Sequence, residues 1–90
     1  MYFIPIFYFF RLRECDYGDL NGMSSARVHN PRVHYLDKPY PNGESWRQAV
    51  QRIWRFVEDL PLRWNDKRVL VIGHRATHFG LDHHLKGLAL

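Results

Sequence analysis

Apolar side chains at Trp46, Ala49, Val50, Ile53, Phe56, Val57 and Leu60 recur at three- and four-residue steps. That spacing predicts an amphipathic helix with a single apolar stripe. Ser45, followed three residues later by Gln48, fits a capping box at the helix start. Pro61 is expected to end the helix, because proline lacks the N–H that a helix interior requires. Arg47, Gln51, Arg55, Glu58 and Asp59 fall on the opposite, polar side, with Arg55 and Asp59 spaced as an i,i+4 ion pair.

The pattern changes after the turn at Asn65-Asp66-Lys67. Residues 68–73 (RVLVIG) are apolar without alternation, as expected of a short parallel strand covered on both faces. Residues 74–86 then read as a second helix, closed by Gly87 in the C′ position. Helix, buried strand and helix together predict an α/β layered architecture. A lone parallel strand needs neighbours, and ninety residues barely supply them.

The chain opens on ten almost wholly apolar residues, MYFIPIFYFF. Their β-branched and aromatic content predicts a strand or extended segment, with Pro5 confining it to an edge or splitting it. The polar stretch 11–22 carries a turn signal at Asn21-Gly22. Residues 23–43, interrupted by Pro31, Pro39, Pro41 and Asn42-Gly43, read as a long irregular loop, a kind that is usually functional or disordered.

Composition narrows the classes. At 46% hydrophobic the chain is too apolar to be disordered, yet it has no apolar run near the ~20 residues that span a bilayer. One cysteine, Cys15, excludes an internal disulfide and points to a reducing, cytoplasmic setting. The net charge is +4, and the excess lies in the second half. Residues 1–45 hold five Lys/Arg and five Asp/Glu, residues 46–90 eight and four. These cations are spaced singly and form no nucleic-acid motif, so a local preference for small anions is the expected reading, with neither nucleic acid nor membrane as partner.

His74 stands where the predicted strand passes into the second helix. Ligands in open α/β sheets collect beyond the carboxyl ends of strands, and a helix start offers unpaired N–H donors to an anion. An imidazole there can donate to a phosphoryl oxygen.

Three segments in order, LRECDYGDLNG, PYPNGESW and VLVIGHRATHFGLDHHLKG, resemble the histidine phosphatase (phosphoglycerate mutase-like) superfamily across most of residues 11–90. The resemblance implies a phosphoglycerate mutase-like α/β sandwich, truncated here to a small, mainly parallel sheet with flanking helices. Residues 1–90 then form a single partial domain, with residues 1–10 as a lead-in unlike the family. It also implies phosphoryl chemistry through a phosphohistidine. By motif, His74 matches the second active-site histidine, and Glu14 matches the acid that protonates the leaving oxygen. Tyr17 matches a substrate-contacting tyrosine. Arg75 and Ala76, at the head of the second helix, complete the expected substrate- and phosphate-binding set. Gly43-Glu44-Ser45 matches a family motif too, although helix capping accounts for Glu44 and Ser45 directly.

The sequence departs from the family in one decisive respect: it contains no Arg-His-Gly, the motif that bears the nucleophilic histidine. Without a nucleophile the covalent step cannot occur, so the expected chain is inactive alone. It would need no cofactor or metal and would bind a small phosphorylated molecule. An exposed sheet edge would favour self-association. The alternative is a histidine-rich metal-binding or protein-interaction fragment, since His74, His78 and Asp82 recur every four residues and imidazole and carboxylate suit transition metals.

Overall fold

A computed structural model describes residues 6–90. Its helices are α1 (Ser25–His29), α2 (Trp46–Trp64) and α3 (Arg75–Lys86), with 3-10 turns at Phe10–Leu12, Gly18–Leu20 and Asn30–Tyr35. There is no strand among the described residues, which overturns the expected α/β sandwich with a small parallel sheet. The reason is physical. A strand is stable only when a neighbour accepts and donates its backbone hydrogen bonds, and no described segment pairs with residues 68–73. Val69, Leu70 and Ile72 are consequently 48%, 86% and 83% exposed. With no sheet among the described residues, they show no sheet edge either, but an open apolar segment stands in its place.

The apolar lead-in fares differently. Residues 1–5 lie outside the described residues, and residues 6–9 form no strand before the turn at Phe10–Leu12. Phe9 packs against Phe56 and Trp64, with ring centroids 5.3 and 5.6 Å away.

Helix α2 follows the predicted stripe: Trp46, Ala49, Val50, Ile53 and Phe56 are buried. Its capping box is present in full. The Ser45 hydroxyl accepts the Gln48 N–H at 3.1 Å, and the Gln48 side chain accepts the Ser45 N–H at 2.8 Å. Pro61, however, lies inside the helix, which runs on to Trp64. A proline forfeits only its own N–H bond near the end of a helix, and Trp64 is anchored there by Phe7 and Phe9, at centroid distances of 5.7 and 5.6 Å. Asp59 pairs with Arg11 at 2.6 Å, in place of the expected Arg55.

Helix α3 lies across α2. A Cβ on Gly80 would stand 2.9 Å from the Ile53 Cβ, so the missing side chain is what lets the helices approach. Gly87 ends α3 in the left-handed conformation, φ 70°, as its position predicts.

Residues 23–43 are ordered around aromatic packing rather than forming an open loop. Trp46 Nε1 donates to the Tyr40 hydroxyl at 3.0 Å, and that hydroxyl donates to the Val28 carbonyl at 3.1 Å. Tyr35 stacks on Tyr40 with centroids 4.1 Å apart. Tyr40 and Trp46 are buried, so their polar atoms need these partners.

Candidate active site at the head of α3

Helix α3 starts at an N-cap residue, His74, in extended conformation. The two residues after it begin the helix: Arg75 is exposed and Ala76 is fully buried. Thr77 steadies this start by accepting the His74 N–H at 3.2 Å while its hydroxyl donates to the Leu12 carbonyl at 3.0 Å. That second bond ties the head of α3 to the segment that carries Glu14.

Glu14 is therefore brought to the same place. Its Oε1 accepts the Ala76 N–H at 2.9 Å and the Cys15 N–H at 3.0 Å. A carboxylate at a helix start is favoured by the free N–H groups and by the helix dipole. Glu14 and the His74–Ala76 turn, 62 residues apart in the chain, thus converge. Tyr17 stands beside them and packs edge-on against Tyr40, centroids 5.3 Å apart, and against Trp46 at 5.9 Å. Burial raises the Tyr17 hydroxyl far above its usual pKa, and the Glu14 charge adds to this. It is a neutral donor at any working pH.

Glu44, just ahead of the α2 capping turn, and Arg52, within α2, hold this arrangement. Arg52 is nearly buried, its side chain 11% exposed. Its guanidinium donates to both Glu44 carboxylate oxygens, at 3.1 and 2.7 Å. It also reaches the carbonyls of Arg11 and Arg13, both at 2.9 Å, and of Glu14 at 3.3 Å. All five N–H donors of an arginine are thereby used. Glu44 accepts the Asp16 N–H at 3.0 Å as well. Burial opposes the Glu44 charge, but the Arg52 hydrogen bond, the Asp16 N–H and the charges of Arg52 and Arg13 outweigh it, holding the carboxyl below its ordinary range. No helical periodicity in the sequence signals this pair, because Glu44 precedes the Ser45 cap of the helix that carries Arg52.

Cys15 lies in the same segment, buried. Desolvation first, and then the charges of Glu44 and Glu14, push its thiol up to about 12. It is a packing residue here, since the nucleophilic form of cysteine is the thiolate.

The histidine and carboxylate series along α3 does not assemble into a metal site. His78 Nε2 and Lys86 Nζ both pair with Asp82, each at 3.2 Å. Among the described residues no three His, Cys, Asp or Glu side chains are placed to hold an ion together. Nor is any described helix long and apolar enough to cross a membrane.

Comparison with known proteins agrees with the order of the motifs. Residues 4–90 match the family model described as histidine phosphatase superfamily (branch 1). A protein of Methylocella silvestris named 2,3-bisphosphoglycerate-dependent phosphoglycerate mutase is 40% identical over 74 residues, 70% of this chain and 35% of that protein. A protein of the same name from Chelativorans sp. is 37% identical over 89 residues, 87% of this chain and 43% of that one. One from Rhizobium etli is 38% identical over 73 residues, 70% of this chain and 35% of the relative. The chain thus spans between about a third and two-fifths of the length of these relatives. No solved structure matches it. With a family model covering nearly its whole length, the chain belongs to the histidine phosphatase superfamily, branch 1.

Proposed function

We propose that these ninety residues form the acid-and-anion portion of a phosphoryl-handling site, serving phosphomonoester hydrolysis or phosphoryl transfer. In this reading His74 contacts the phosphoryl group, and Glu14, taking up a proton together with the bound anion, passes it to the leaving oxygen. Tyr17 contacts the substrate, and Arg75 faces the anion, the Ala76 N–H beside it being held by Glu14. The observation that carries the reading is the Glu14 carboxylate on the Ala76 N–H at 2.9 Å, two residues beyond His74. An alkoxide is a poor leaving group until it is protonated, so an acid beside an anion-accepting helix start fits that step.

The ninety residues contain no Arg-His-Gly, so by themselves they bind a phosphorylated molecule without forming a phosphohistidine. Relatives are named for a mutase dependent on 2,3-bisphosphoglycerate, which makes phosphoglycerates the first substrates to try. The buried thiol of Cys15 fits a cytoplasmic, reducing setting.

Calorimetric titration with 3-phosphoglycerate, beside a phosphatase assay on an aryl phosphate, tests the reading. Binding without turnover is expected, weakened at least tenfold by His74→Ala. Turnover that persists in His74→Ala, or binding indifferent to that change, overturns it.

A second reading, self-association, is favoured by the exposed Leu70 and Ile72, at 86% and 83%. Contiguous exposed apolar side chains draw chains together.

A further inference from the structure

The basic surplus of the second half is not absorbed by the site at His74. Part of it borders a cleft of about 340 Å³ between the turn at Phe10–Leu12 and the polar face of α2, lined by Arg11, Gln48, Gln51, Arg52 and Arg55. A volume near the lower end of the usual ~300–1,000 Å³ range suits a small ligand.

Donor accounting shows what the cleft offers. Arg52 uses its N–H groups within the protein, so it contributes charge and a rigid wall. Arg11 is held by Asp59 through Nη1 alone, which leaves its other donors for a ligand. Gln48 spends its carbonyl oxygen on the Ser45 N–H, so its amide NH2 remains to donate. Arg55 is exposed and makes no hydrogen bond or ion pair among the described residues. Of the carboxylates nearby, Glu44 is engaged by Arg52 and Asp59 by Arg11, so Arg55 and the outer donors of Arg11 are the cationic groups left to meet an anion. An arginine fork matches the oxygens of a tetrahedral oxyanion.

We propose that this cleft is a second anion site, separate from the head of α3, that binds a phosphate group through Arg55 and Arg11 with Gln48 and Gln51 as neutral donors. The site does not depend on the role given to His74.

The test is a nitrogen-edited NMR titration of the ninety-residue chain with inorganic phosphate, following the Arg55 and Arg11 side-chain Nε–H signals, with sodium chloride as the ionic-strength control. Saturable movement of the Arg55 signal is expected, unchanged in His74→Ala. In Arg55→Gln the Arg11 signal should need at least tenfold more phosphate to reach the same shift. Because Arg55 is exposed and without a described partner, that variant keeps the fold, as circular dichroism can confirm. Linear movement matched by chloride, or an Arg11 response unaltered in Arg55→Gln, overturns the proposal. Loss of the Arg55 response in His74→Ala also overturns it, because the two sites would then be one. Failure of the His74 reading leaves a different trace, a 3-phosphoglycerate affinity that His74→Ala does not change.

Discussion

Arg52 grips Glu44 through two hydrogen bonds, at 3.1 and 2.7 Å, while its remaining donors hold three carbonyls of residues 11–14. One side chain of α2 therefore fixes the backbone on which the Glu14 carboxyl is mounted. Replacing it by alanine leaves the partly buried Glu44 carboxylate with only the Asp16 N–H and the distant Arg13, at 3.9 Å, and three carbonyls short of a donor. Such losses cost on the order of 2–4 kcal/mol in folding free energy. Urea denaturation of Arg52→Ala should show this as a lowered midpoint. Arg52→Lys should recover only part of it, because an ammonium cannot span carboxylate and carbonyls at once.

The same pair makes stability depend on acid. The Glu44 carboxyl is depressed in the folded protein below its ordinary 4.5, so its contribution is complete above that value and fades as the pH falls through the folded pKa. Asp16, lowered from 3.8 chiefly by the Gly18 N–H and then by Asn21, acts in the same direction. The urea midpoint should therefore drop between about pH 5 and pH 3. In Glu44→Gln the drop should be shallower, the residue at 16 still contributing. An equal slope in the variant would show that Glu44 does not carry the effect.

At the head of α3 the Glu14 carboxylate already occupies the Ala76 N–H, so an incoming phosphate meets a like charge. A neutral amide keeps an acceptor oxygen for the N–H and removes the repulsion. A unit charge about 4 Å away costs on the order of 1 kcal/mol or more. Glu14→Gln should accordingly bind inorganic phosphate roughly fivefold more tightly at neutral pH. Calorimetry on the two proteins decides it, and weaker binding in the variant would contradict the competition.

Residues 68–73 leave Leu70 and Ile72 open to water. Light scattering coupled to size exclusion should find a concentration-dependent rise in mass for the natural sequence. Leu70→Ser with Ile72→Ser should abolish that rise while the helical circular dichroism stays unchanged, because neither side chain packs into the core.

The parts of this molecule that can be read along the chain are those decided within a few residues. The stripe of α2 and its Ser45–Gln48 capping box satisfy backbone groups one turn away, and Gly87 ends α3 through its own left-handed conformation. The motif order around Glu14 and His74 likewise named the family before any geometry was known. Distant partners decided the rest. RVLVIG has strand composition, yet with no pairing neighbour among the described residues it forms no strand, and Leu70 and Ile72 stay wet. Residues 23–43 look unstructured until Tyr40 finds Val28 and Trp46. Arg52 reads as one more surface cation until the chain folds back and presents carbonyls from 38 to 41 residues earlier. Local periodicity reports which face a helix buries, whereas hydrogen-bond partners far along the chain exist only once tertiary packing has brought them within reach.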